Sequence, residues 1–149
     1  VQRKTSAAKR FLQEKSEEIR GIDMEIRRKR ERLTKLRARL TDGTSQISGM
    51  PGGGSGENSQ FNKNTELLSF AEEINEDVER LAKAQRKLAE TIKVCEDHDL
   101  RAVLEKRYID RKSWDKIRHE MSFSESGIYQ LHGRALKVLD GKLKAKKTV

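Results

Sequence analysis

Apolar residues in this chain recur at intervals of three and four and almost never alternate, so the pattern predicts helices throughout. From Thr5 to Leu40, one heptad position is held by Leu12, Ile19, Ile26, Leu33 and Leu40. The other is held by Ala8, Lys15, Ile22, Lys29 and Leu36, a coiled-coil seam diluted by its two lysines. A second seam begins at Thr65, where Leu67, Ala71, Ile74, Val78, Leu81, Gln85, Leu88, Ile92 and Cys95 step by four and three. Gln85 reads as a register device in it, and Cys95 as a small buried hydrophobe. Between the seams, Thr41 to Asn64 carries six glycines, one proline and many Ser and Asn residues, the composition of a flexible loop. Its glycines are not a phosphate-binding loop, since no Lys-Ser/Thr pair follows and no strand precedes them. Folded back through residues 41–64, the two seams predict a long antiparallel, coiled-coil-like hairpin over residues 1–97.

From Leu100 to Leu139 the pattern breaks into three short helices. Leu100, Val103, Leu104 and Tyr108 form the stripe of the first. In the second, Ser113 is placed as an N-cap, and Trp114, Ile117 and Met121 line a single face. The break Ser122-Phe123-Ser124 supplies an apolar plug in Phe123 and a second N-cap in Ser124. The third helix carries Ile128, Leu131, Ala135 and Leu139 inward. This predicts an all-α chain whose residues 98–141 form a helix-turn-helix three-helix unit, followed by a basic tail at 142–149. The final helix of such a unit ordinarily enters the DNA major groove.

Composition narrows the picture further. With 38% charged and 34% hydrophobic residues, the chain is too polar for one large core and suits long solvated helices. No apolar run approaches the roughly 18 residues of a membrane span, so no membrane partner is expected. The single cysteine excludes a disulfide framework and fits a reducing, cytoplasmic setting. Of the net charge of +9, residues 1–40 contribute +8, residues 65–97 contribute −4 and residues 98–149 contribute +6. A polyanion, nucleic acid foremost, is the expected partner. The basic second half of helix one, Arg27 to Arg39, reads either as a phosphate-contacting arm or as a solvated face. Acidic residues at the start of helix two, Glu66, Glu72, Glu73, Glu76, Asp77 and Glu79, would answer it in the hairpin. His98, His119 and His132 have no ligand spacing with one another or with Cys95, so no metal is expected. His119 and His132 read as surface decoration or phosphate contacts. No nucleophile–base grouping appears, and neither a cofactor nor an enzymatic activity is expected.

At about 100° per residue, Ser126, Gln130, Gly133 and Lys137 point away from the inner stripe of the last helix, flanked by Tyr129 and Arg134. With Ser124 at the helix start, these are the expected DNA-binding residues. Gln pairs bidentately with adenine, Arg with guanine or a phosphate, and Lys and Tyr with the backbone. Gly133 weakens a helix interior by about 1 kcal/mol relative to Ala, a cost that close approach to a partner would justify. The same face also suits an ordinary solvated helix or a protein-binding module.

Leu104 through Leu139 resemble region four of bacterial sigma factors. Arg107-Tyr108, Trp114, Ile117, Met121, Ser124 and the run from Leu131 to Leu136 are similar to small phage and prophage transcription regulators of the ArpU and RinA kind. The piece Ser48 to Gly53 resembles what such regulators carry between their N-terminal helices. Two positions depart from the pattern. Arg118 replaces a small residue and must snorkel outward or splay the helices. Ser122 replaces a glycine at a turn that wants positive φ. The resemblance implies a sequence-specific regulator of phage late genes that binds double-stranded DNA near a promoter and recruits host RNA polymerase. Two other classes stay open. One is a small-terminase-like packaging subunit that forms a homo-oligomer through its long helices. The other is a polymerase-binding adaptor that reads no sequence.

Overall fold

Helical periodicity carries through to the fold. A computed structural model describes residues 5–45 and 56–147, and every regular element among them is helical. In order these are α1 (Ala7–Ser45), α2 (Gly56–Ile92), α3 (His98–Leu104), a π turn (Glu105–Ile109), α4 (Trp114–Met121) and α5 (Glu125–Lys147). The fold is all-α, with the long first helix packing against the second. Both long helices outrun their expected ends: the loop predicted at 41–64 is helical over 41–45 and 56–64. A helix already propagating tolerates exposed polar residues at small cost. Thr41 and Thr65 show how, turning their hydroxyls onto the carbonyls of Arg37 (3.0 Å) and Phe61 (2.8 Å). The segment Ser48 to Gly53 lies outside the described residues.

Contacts divide the chain into two compact units. In the unit spanning residues 21–81, Ile22, Ile26 and Ile74 are buried between α1 and α2. Lys29 Nζ lies 2.6 Å from Asp77 Oδ2 and 3.6 Å from Glu73 Oε1, and Arg80 reaches Glu25 at 3.9 Å. Partners rise along α1 as they descend along α2, so the pair is antiparallel. The seam differs from expectation at one level: Asp77 is buried and Val78 is exposed. Steps of three and four from Ile74 to Leu81 allow either residue inward, and the Lys29 ammonium decides for the carboxylate. That contact holds the Asp77 carboxyl below its ordinary range and the Lys29 ammonium above its own.

The second unit gathers residues 5–20 and 82–147, with α5 at its centre. Ala8, Leu12, Leu88, Ile92, Cys95, Val103, Leu104, Ile117, Ile128, Ala135 and Leu139 are all but sealed from solvent. Here too one seam position changes: Lys15 turns outward to Glu18 (3.4 Å) and Ser16 is buried instead. An ammonium keeps its hydration that way, while the small hydroxyl is cheaper to bury. The start of α1 is capped twice. Ser6 Oγ accepts from the Lys9 amide at 3.1 Å, and Asp140 of α5 accepts from the Ala8 amide at 2.8 Å. α2 stops at Ile92, so Cys95 sits beyond the helix, yet it is fully buried, and burial pushes its thiol pKa up. Arg101 covers the carbonyls left there, donating to Cys95 O (3.1 Å) and Lys93 O (3.4 Å). Asp97 then caps α3, accepting from the amides of Asp99 and Leu100.

Candidate nucleic-acid interface

Two consecutive caps set the geometry of the α4–turn–α5 segment. Ser113 Oγ accepts from the Lys116 amide at 3.2 Å, so α4 begins where the sequence places it. At the other end Ser122 adopts φ 59°, ψ 42°, the left-handed conformation expected of the turn. The Phe123 amide donates to Arg118 O at 2.9 Å and the Ser122 amide to His119 O at 3.3 Å, closing the last turn. Holding Ser there costs about 1–2 kcal/mol, part of which Gly would return as unfolded-chain entropy. Ser122→Gly is therefore expected to raise stability by about 0.5–1 kcal/mol, read from urea midpoints at unchanged slope. An unchanged or lower midpoint would count against strain at this turn.

Arg118 resolves by snorkelling. Its Nε and Nη2 reach Asp115 Oδ1 at 3.0 and 2.8 Å, while Ile117 and Ile128 stay fully buried, so α4 and α5 remain packed. Ser124 caps α5 by accepting from the Gly127 amide at 3.0 Å. A Cβ at Gly127 would come within 2.9 Å of that hydroxyl, so glycine there protects the cap. Lys106 and Lys112 both hold Glu120, at 2.8 and 3.0 Å, and pin its carboxyl down to about 2. That lock ties the π turn to α4.

The inner stripe is as expected: Ile128, Leu131, Ala135 and Leu139 are buried. On the opposite side Ser126, Gln130, Arg134 and Lys137 are exposed, and Tyr129 is 48% exposed. Ser124 is exposed at the helix start, its hydroxyl already engaged in the cap. Gly133 is half-buried, and a Cβ built there would meet nothing within 4 Å. The protein itself thus gives no steric reason for this glycine. Beyond Lys137 the expected tail continues as helix to Lys147, with Lys142, Lys144 and Lys146 exposed.

One residue is not where the sequence reading puts it. His132 is buried rather than on the surface, with its Nε2 2.8 Å from the Tyr108 hydroxyl. The Trp114 ring meets His132 edge-on at 4.6 Å and is tilted against the Tyr129 ring at 5.3 Å, and the Arg107 guanidinium lies 4.8 Å over the Trp114 ring. Burial first, then the charges of Lys9 and Arg107, lower the His132 pKa to about 4, so the ring is neutral at pH 7. The signal was there: His132 sits one turn after Ile128 and one before Ala135, at the border of the inner stripe. Arg111, with φ 57°, was also missed. It follows the π turn, where the Lys112 amide donates to Lys106 O at 3.0 Å, closing that turn as a Schellman motif closes an α-helix.

These elements define an all-α protein ending in a helix-turn-helix unit, and no helix among the described residues is long and apolar enough to cross a membrane. Residues 47–140 match the model of a family described as protein of unknown function DUF1492. The match covers more than half of the chain, which belongs to that family. No curated protein and no solved structure matches it.

Proposed function

We propose that this protein is a sequence-specific, double-stranded-DNA-binding regulator of transcription, akin to the phage late-gene regulators of the ArpU and RinA kind. One observation carries the reading: α5 seals one face into the core and presents Gln130, Arg134 and Lys137, with Tyr129 beside them, on the other. Gln and Arg spaced one turn apart suit base edges in a major groove, and Lys suits the flanking phosphates. Selection from a random duplex pool would first yield the cognate site. Gln130→Ala and Arg134→Ala are each expected to lose about 1–3 kcal/mol on that site and little on random duplex. Lys137→Ala should weaken both alike and flatten the salt dependence. Gly133→Ala should stabilise the free protein by about 1 kcal/mol, so any affinity it loses reports the partner's approach. Equal losses on cognate and random DNA for Gln130, Arg134 and Lys137 would rule out base reading.

The resemblance to sigma region four extends the proposal to polymerase. Strand separation typically uses aromatic side chains that stack on unpaired bases, and residues 1–97 hold only Phe11, Phe61 and Phe70. The protein is therefore a regulator that binds duplex upstream of a promoter and recruits polymerase already carrying its own sigma factor. In a purified transcription assay, stimulation is expected only when the host sigma factor is present. Transcripts from core polymerase and this protein alone would overturn that mechanism.

A further inference from the structure

Within the unit built from residues 5–20 and 82–147 lies a cavity of about 360 Å³, lined by Lys9 and Ser16 of α1, by Arg107 and Arg111, and by Trp114 and His132. Its charge is lopsided. Three cations face one carboxylate, Glu17, which pairs with Arg20 outside the cavity at 3.5 Å and reaches Arg111 at 4.0 Å. The Lys9 ammonium has no hydrogen-bond or ion-pair partner among the described residues. Arg107 spends one N–H on Lys112 O at 3.0 Å and its face on Trp114, leaving its remaining donors without a protein acceptor among those residues.

The floor adds two more polar groups. Ser16 and His132 are each 8% exposed. The Tyr108 hydroxyl and Nε2 of His132 are hydrogen-bond partners at 2.8 Å, which leaves the ring's Nδ1 for another group. Neither His132 Nδ1 nor the Ser16 hydroxyl has a hydrogen-bond partner among the described residues. No buried, solvent-sealed side-chain nitrogen or oxygen among those residues lacks a partner, so both atoms keep contact with solvent, and both residues line the cavity. Converging cations that repel one another share one thing, attraction for an anion with several oxygens.

We propose that this cavity binds a small phosphate group, with Lys9 and Arg111 at its mouth, Arg107 against Trp114, and Ser16 and His132 at its floor. A carboxylate offers two oxygens in one plane, whereas a phosphate sets four around its phosphorus in a tetrahedron, which suits donors that converge from several sides; free phosphate carries up to two charges near neutral pH and a backbone phosphate one. The phosphate is either a free ligand or part of a nucleic-acid backbone, since Tyr129 lines the same cavity and also flanks the proposed DNA face. The site does not depend on the DNA-binding reading.

Trp114 is the single tryptophan, so its fluorescence reports the cavity directly. The full chain would be titrated with pyrophosphate and with inorganic phosphate at constant ionic strength. A saturable change is expected, weakened at least about fivefold in Lys9→Gln and in Arg111→Gly, the latter keeping the left-handed backbone at lower cost. Lys15→Gln, an exposed lysine outside the cavity, should bind like the parent. If free phosphates give no change, random-sequence duplex is titrated across salt concentrations. A slope reduced by about one in each cavity variant, and not in Lys15→Gln, then assigns the site to a backbone phosphate. A fluorescence change equal in parent and variants overturns the proposal. So does silence with free phosphates together with unchanged slopes or no duplex binding.

Discussion

Acidifying the protein from pH 7 to pH 4 is expected to remove roughly 3 kcal/mol of stability through His132 alone. In the folded chain this ring takes up a proton only near pH 4, whereas unfolded it does so near its ordinary value of 6.5. Between those values the unfolded state binds more protons, so stability is complete above 6.5 and drains as pH falls through 4. The cause is geometric: the imidazolium would have to sit almost sealed from water, between Tyr108 and Trp114 and under the fields of Lys9 and Arg107. Glu120 acts in a lower window. Its pairing with Lys106 and Lys112 contributes fully above about 4.5 and is lost as pH drops through about 2. Urea unfolding at several pH values, repeated on His132→Gln, separates the two, since glutamine keeps a hydrogen-bonding group and does not titrate. The variant should show a shallower loss between pH 6.5 and 4. Identical slopes, or an imidazole titrating near 6.5 by NMR, would show that the ring is solvated after all.

The second large effect is expected at Ile117. It is fully buried at the centre of α4, and α4 packs on both α5 and the π turn. Ile117→Ala should cost about 2–5 kcal/mol, the transfer free energy of the deleted carbons plus the cavity they leave. Ile117→Val should cost about 0.5–1.5 kcal/mol by the same logic. A helix of eight residues cannot hold itself together without such an anchor. The alanine variant is thus expected to lose α4 before α5, seen as early amide exchange from Trp114 to Met121 while Ile128 to Leu139 stays protected. Equal protection in both helices, or a cost below 1 kcal/mol, would place the anchor elsewhere.

Most of the fold was legible because the chain is helical and helices announce themselves by period. The caps at Ser113 and Ser124, the left-handed Ser122 and the inner stripe of α5 all follow from side-chain chemistry within four residues along the chain. What escaped reading depends on what lies across a helix interface. Whether Asp77 or Val78 turns inward is undecidable from spacing and is settled by a lysine far away in sequence. The same holds for Lys15 against Ser16. The two ends of the 41–64 segment, 41–45 and 56–64, misled for another reason, because Ser, Asn and Thr lower helix propensity without forbidding a helix. Of the candidate DNA face, the outward positions were readable from α5 alone. The cavity beside it was not, since Lys9 and Arg107 meet only through the tertiary fold.

The bond from the Ala8 amide to the Asp140 carboxylate joins positions 132 residues apart. The unit that holds the helix-turn-helix therefore draws on residues 5–20 as well as 82–147, two stretches that residues 21–81 separate in sequence. During synthesis the first helix must wait for the last before its end can be capped and its core closed. Such distant contacts are late and slow to form, because the intervening chain loses its freedom before the contact repays it. A ribosome-tethered chain stopped before Asp140 would leave the buried face of the early helix uncovered, a natural target for chaperones.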